Sequence, residues 1–192
     1  MLLYQALLAD AKFHEQLLAF DRDLAERSRA AGCPDCGGAL HSANYRRKPR
    51  GGSAALGEEH DRRFSFCCAV DGCRDRLTPP SLRFLGRKVY LAVIVTLIAA
   101  MLNGVTERRL GKLAATVGVD RRTLARWRGW WLASFTATPF WRAASAGLMP
   151  PVDASGLPAA LLERFAGDAT EQLIAFLSFL GPITGGASVR AF

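Results

Sequence analysis

Apolar residues recur along this chain at two periods, and the changes between them mark out its elements. Phe13, Leu17, Phe20 and Leu24 fall at i, i+4, i+7 and i+11, with Asp21, Arg22, Asp23, Glu26 and Arg27 between them. That spacing lays one apolar stripe along a helix, so residues 1–31 are predicted helical, packed against the rest of the chain or a second copy. His14, among such residues, is expected to be an exposed polar side chain. Phe64, Phe66 and Cys68 alternate instead, the period of a strand with one buried face.

The helical period returns from Leu110 to Trp131. Leu110, Leu113, Ala114 and Val117 lie on one face. Gly118 suits the positive φ of a helix end, and Val119 can fill the gap before the next helix. Asp120 is placed to cap that helix, whose core stripe is Leu124, Trp127 and Trp131. Two helices joined by so short a turn predict a helix-turn-helix. The opposite face of its second helix carries Arg121, Arg122, Ala125 and Arg126 near the N-terminal end, the end that recognition helices present to base edges. A small alanine permits close approach, and arginines reach guanine or phosphate. At this helical spacing Trp127, Trp130 and Trp131 read as core rather than as a base-stacking cluster.

The apolar run Val89–Leu102 is shorter than the ~18–20 residues needed to span a bilayer. Residues 87–102 are therefore expected to form the first, heavily buried helix of a three-helix unit, ended by Asn103-Gly104. Thr106 can cap the next helix, where Arg108, Arg109 and Lys112 offer phosphate contacts. Beyond Ser134, Thr138-Pro139 predicts a helix start leading into Phe140, Trp141 and Ala144, and Pro150-Pro151 breaks the chain. A further helix is expected near Leu157–Phe165. Asp168 and Glu171 form a capping-box pattern ahead of Leu173, Phe176, Leu177 and Leu180. That last helix is apolar round much of its surface, which suits packing inside the fold or against a second copy. Gly181-Pro182 stops it, and residues 184–192 are expected to be a loose tail.

Five cysteines sharpen the picture between the first helix and the helix-turn-helix. Cys33-Pro34-Asp35-Cys36-Gly37-Gly38 has the form of a zinc knuckle, with glycines that let backbone amides turn toward sulfur. A second group, Cys67-Cys68-Ala69-Val70-Asp71-Gly72-Cys73, supplies the other pair. Strand alternation selects Cys68 with Cys73 and leaves Cys67 as a spare thiol, unless a bulge reverses the choice. Cys33, Cys36, Cys68 and Cys73 thus predict a structural Zn2+ site, with His41 and His60 as unneeded substitutes. The ribbon is too small to bury much apolar surface, and a metal supplies the missing cross-link. The odd cysteine count and the lack of a basic, apolar leader favour a reducing cytoplasm.

Net charge of +8 and a pI near 9.8 favour an anionic partner. Arg46, Arg47, Lys48, Arg50, Arg62, Arg63, Arg74, Arg76, Arg83, Arg87 and Lys88 crowd the middle, so the anion-binding surface is expected there. Arg46, Arg47 and Lys48, on a basic then glycine-rich loop, are candidates to track a phosphate backbone. Thr78-Pro79-Pro80-Ser81 reads as a stiff, extended linker along the same partner. The expected layout is an N-terminal helix (1–31), a zinc ribbon (32–80), a helix-turn-helix unit (81–134), a C-terminal helical segment (135–183) and a tail (184–192). In fold class this is mainly α with a small β zinc ribbon.

The order CxxCG, basic loop, aromatic-Cys…Cys-Arg, TPPS and helix-turn-helix resembles the zinc-ribbon DNA-binding modules of bacterial insertion sequences. The resemblance covers roughly residues 32–131, with Cys33, Cys36, Cys68 and Cys73 at the ribbon ligands and Arg121, Arg122 and Arg126 at groove-facing positions. It implies binding to element ends, with a transposase or recombinase as partner and the nucleoid as location. Two departures stand out: the second cysteine pair is wider than CxxC, and no catalytic domain follows. A transcriptional regulator can carry the same modules. Asp153, Glu163, Asp168 and Glu171 are the acidic residues available late in the chain for a Mg2+-dependent cut, but capping explains Asp168 and Glu171 better, a proline-rich turn Asp153 and a solvated face Glu163. The expected function is sequence-specific binding of double-stranded DNA without catalysis. The alternative is an adaptor docking a larger nucleic-acid enzyme through ribbon and C-terminal helices.

Overall fold

The computed structural model describes residues 2–47, 56–85, 89–90 and 120–187. The chain is mainly α with a small antiparallel sheet. The expected N-terminal helix is two, α1 (Leu2–Ala9) and α2 (Ala11–Ala30). Asp10 makes the break: its extended backbone interrupts the helix, and its carboxylate accepts the Lys12 amide at 2.9 Å. Such a cap satisfies a donor that the first turn of a helix would otherwise leave open. α2 buries Phe13, His14, Leu17, Leu18, Asp21 and Ala25. His14 is therefore not the exposed side chain expected: it is 1% exposed, and its Nε2 lies 2.9 Å from the Leu8 carbonyl oxygen.

β1 (Leu40–Ser42), β4 (Phe66–Cys68), β5 (Arg76–Thr78) and β8 (Gly186–Ala187) form the sheet, in the order β1-β4-β5-β8. β2 (Tyr45–Arg46) pairs with β3 (Arg62–Arg63), and β6 (Phe84–Leu85) with β7 (Val89–Tyr90). Val89 and Tyr90, expected at the start of a helix over residues 87–102, are instead a strand, because Leu85 and Phe84 offer their backbone an antiparallel partner; residues 91–102 lie outside the described residues. In the C-terminal half, α3 (Arg121–Gly129) runs into a π-helical segment, Trp130–Phe135. α4 (Pro139–Ala146), α5 (Ala159–Leu162) and α6 (Ala169–Leu180) follow. Thr138 caps α4 through the Trp141 amide, and Asp168 with Glu171 closes a reciprocal capping box on α6.

Two apolar clusters result. The larger joins Phe13 and Leu17 of α2 to Leu82, Trp131, Phe135, Trp141, Leu157, Leu161 and the α6 side chains Leu173, Phe176, Leu177 and Leu180. α6 thus spends its apolar surface inside the fold. Trp131 packs edge-on to Phe135, with ring centroids 4.8 Å apart, and lies 6.0 Å from Phe176. The smaller cluster, Ala25, Cys33, Leu40, Phe66 and Cys68, lies under the cysteines.

A buried polar seam links the two halves. Asp21 accepts the Leu82 amide at 2.7 Å, the Ser81 hydroxyl at 2.5 Å and Arg83 Nε at 2.8 Å. Arg83 also donates to the carbonyls of His60 and Arg62. Arg63 donates to the carbonyls of Pro79 and Thr184. The Thr184 hydroxyl accepts the Ser81 amide at 2.8 Å. These contacts correct two expectations. Thr78-Pro79-Pro80-Ser81 is not an external linker, since Ser81 is fully buried and β5 is an inner strand. The chain from Thr184 to Ala187 is not loose, because Leu77 and Thr78 pair with Ala187 and Gly186. Backbone groups buried this deeply need partners, and each segment supplies the other's.

Candidate metal centre and basic helix

The end of α2 delivers the first cysteine pair. Gly32 adopts φ +78°, turning the chain out of the helix, and a Cβ there would meet the Gly37 carbonyl oxygen at 2.9 Å. The Cys33 amide donates to the Gly38 carbonyl and the Gly37 amide to that of Cys33, closing a tight loop that carries a buried Cys33 and an exposed Cys36. The second pair sits where β4 turns back toward β5. Cys68 is opposite Leu40 in the β1–β4 register, on the inward side of the strand. Gly72 at φ +87° and Arg74 at φ +52° then bring Cys73 round beneath it. The wider spacing of this pair is taken up by a turn in which Val70 accepts the amides of Cys73 and Arg74.

The result is a cluster of Cys33, Cys36, Cys68 and Cys73 whose sulfurs all lie within 4.8 Å of one another. Cys33 and Cys73 Sγ are 3.7 Å apart, and Cys36 and Cys68 Sγ 3.5 Å. Four sulfurs each about 2.3 Å from one tetrahedral ion would stand about 3.8 Å apart, so the quartet has the dimensions of a four-thiolate metal site. Gly38 is required by this closeness: a Cβ there would lie 2.4 Å from Val70 Cγ2, 3.3 Å from Cys36 Sγ and 3.4 Å from Cys68 Sγ.

Electrostatics favour a cation at the centre. The amides of Cys36 and Asp35 lower the Cys33 thiol below its ordinary value. An Asp75 amide also favours the Cys73 thiolate, but burial and the sulfurs of Cys36, Cys33 and Cys68 outweigh it and push this thiol up to about 12. Sulfurs so crowded cannot all ionise without a compensating positive charge. Four protein donors around one ion leave no open position for an activated water, so the site suits a structural ion. Cys67 lies outside the quartet, with its thiol 3.5 Å from the Arg74 carbonyl, and is opposite His41 across the β1–β4 ladder. His41 is exposed, and His60 is buried under the Arg83 seam; neither belongs to the cluster.

Comparison with protein-family models, curated proteins and solved structures returned no match.

The second candidate surface is α3. Asp120 caps it, accepting the Thr123 amide at 2.8 Å and the Thr123 hydroxyl at 3.1 Å. These bonds, the amide first, hold the Asp120 carboxyl below the usual range. Leu124 and Trp131 are buried and Trp127 half-buried, while Arg122, Ala125 and Arg126 are exposed. Arg126 is steadied by a 3.0 Å bond from Nη2 to the Thr123 hydroxyl. Trp130 packs against Trp131 and Phe135, so the tryptophans serve the core.

The Arg121 side chain, Lys48, Arg50, Arg87, Lys88, Arg108, Arg109 and Lys112 lie outside the described residues, as do the first helix and turn of the expected helix-turn-helix. On β2, Arg46 is exposed and pairs with Glu58, and just beyond it the Arg47 guanidinium lies 4.5 Å above the Tyr45 ring. Arg63 and Arg83, counted above among the central basic residues, are 2% and 0% exposed and bonded internally. They add nothing to an outer surface as they stand. The missed signal was Asp21: at i+8 from Phe13 and i+4 from Leu17, it sits on the apolar stripe itself. A carboxylate there calls for a buried cation, and Arg83 answers it. Of the late acidic residues, Asp153 holds the Ser155 amide and hydroxyl, Asp168 and Glu171 cap α6, and Glu163 is exposed.

Proposed function

We propose that this chain is a non-catalytic protein that binds double-stranded DNA sequence-specifically, with Zn2+ held by Cys33, Cys36, Cys68 and Cys73 as a structural cross-link. The observation that carries the reading is α3: a capped helix seated on a buried aromatic core, with Arg122, Ala125 and Arg126 exposed on its outer face. A rigid scaffold beneath an arginine face is what base readout requires, because a guanidinium discriminates only when its helix is held in register. The surplus of basic residues supplies general attraction to phosphate. Zinc is the ion that four closely packed thiolates with no open position suit best. The burial of α6 favours this reading over an adaptor, since the apolar surface an adaptor would present is already used.

The resemblance to insertion-sequence modules extends the proposal to a role at the ends of a mobile element, or at an operator, within the nucleoid. A transposase or recombinase would then be the partner that performs the chemistry. Selection from a random duplex pool with zinc-loaded protein tests the core of this. A defined motif should be enriched, with affinity falling steeply as salt rises. Failure to bind any duplex at low ionic strength, with thiols reduced and zinc in place, overturns it.

A further inference from the structure

The ribbon of β2 and β3 has two unlike faces. Tyr45 is opposite Arg63 and Arg46 opposite Arg62, and the Arg47 amide extends the pairing by donating to the Asp61 carbonyl at 2.7 Å. Side chains alternate along a strand, so Tyr45, Arg47, Asp61 and Arg63 share one face while Arg46 and Arg62 share the other. Arg46 and Arg62 are exposed. Arg63 is buried and Arg47 half-buried. As diagonal neighbours across an antiparallel pair, Arg47 and Arg63 start about 7–8 Å apart, within easy reach of long side chains.

Both guanidinium groups are under-satisfied. Arg63 spends Nη2 on the Pro79 and Thr184 carbonyls, but its buried Nη1 has no hydrogen-bond partner. The buried Nε of Arg47 has none either. Buried donors are nearly always paired, and a charged one left open costs more than a neutral one. Nearby carboxylates do not relieve them. Asp21 is taken by Ser81, Leu82 and Arg83, and Asp61 forms no ion pair among the described residues. Burial lowers the Arg63 guanidinium, Asp21 opposes this, and the like charges of Arg83 and Arg47 add to it.

We propose that Arg47 and Arg63 form an oxyanion site on this face of the ribbon, taking a phosphate group between them beside Tyr45. Guanidinium forks match tetrahedral oxyanions through paired N–H donors, and two unpartnered donors on neighbouring arginines are the contacts such a group completes. Arg47 and Tyr45, both half-buried, mark the side from which the anion enters. The site goes beyond the α3 reading and does not need it. Its occupant is a duplex phosphodiester if the chain binds DNA, and free phosphate otherwise.

Titration of the zinc-loaded full chain with inorganic phosphate, at constant ionic strength against chloride, reads the site directly. Wild type should bind one phosphate saturably. Arg47→Gln should weaken it about tenfold or more, the loss expected for one charge-assisted contact. Arg47→Lys should recover only part of that, because a lysine has no fork. Arg142→Gln, an equal charge change on the exposed face of α4, should leave phosphate affinity within about twofold. Non-saturable binding, or equal losses in the Arg47 and Arg142 variants, overturns the site. A duplex-binding arm separates the two readings. Saturable phosphate capture without duplex affinity keeps the oxyanion site and refutes DNA binding. Unchanged duplex binding by Arg47→Gln with no phosphate capture does the reverse.

Discussion

Replacing Asp21 with asparagine removes one charge from a pair in which both side chains are 0% exposed. The change is nearly isosteric, so packing is conserved and the electrostatic consequence stands alone. Asp21 accepts three hydrogen bonds, from Leu82, Ser81 and Arg83. An asparagine can keep the Leu82 amide bond through its oxygen but must turn an NH2 toward Arg83 Nε, donor against donor. The Arg83 side chain cannot reach water. Breaking a buried pair from one side typically costs about 3–5 kcal/mol, most of it the stranded charge. Against a total stability of about 5–15 kcal/mol, this is a large fraction. Urea unfolding of zinc-loaded protein, followed by tryptophan fluorescence, measures it, provided the slope with denaturant is unchanged. A second arm isolates the cause. Arg83→Met should cost a similar amount alone, whereas Asp21→Asn with Arg83→Met should cost clearly less than the two losses added. A loss below about 1 kcal/mol for Asp21→Asn, or strict additivity, would refute the assignment of the seam as a charge-coupled unit.

Purified protein should carry one zinc per chain by elemental analysis; Cys33→Ser or Cys68→Ser should lose it and Cys67→Ser should keep it, since the fifth thiol stands outside the quartet. Arg122→Ala and Arg126→Ala should each cost on the order of 1–3 kcal/mol on a selected duplex and little on a scrambled one. Arg46→Ala should weaken both duplexes alike and reduce the salt slope by about one; equal losses on cognate and scrambled DNA for the α3 variants would remove the base-readout claim. Burial, then the Arg83 charge, lowers the His60 pKa from 6.5, so below pH 6.5 the unfolded chain binds a proton that the folded chain resists. His60 therefore contributes stability that is full above pH 6.5 and is lost as pH falls through 6.5 toward the lower folded value. His60→Gln should flatten this part of the stability–pH profile, and an unchanged slope would contradict the assignment.

What a reader of the sequence could place rests on interactions that span few residues. The caps at Asp120, Thr138 and Asp168 are decided by side chains bonding to amides two or three positions on. The choice of Cys68 over Cys67 follows from strand alternation, and each cysteine pair needs only its own turn. The stripe Leu124, Trp127, Trp131 is likewise set by helical period, and it leaves Arg122 and Arg126 outward. Tertiary structure decided the fate of the charges. Arg63 and Arg83 look like any solvated ions in a basic run, because their spacing does not report whether a side chain will find water or a carboxylate 62 positions away; the place of Asp21 on the apolar stripe marks a buried carboxylate but not which cation meets it. The same holds for the end of the chain, where Gly186 and Ala187 become a strand only because β5 offers them an open edge. Burial and hydrogen-bond satisfaction are properties of the whole packed chain, so a residue's role in the seam exists only once α2, the Pro79-Pro80 turn and the segment after α6 have met.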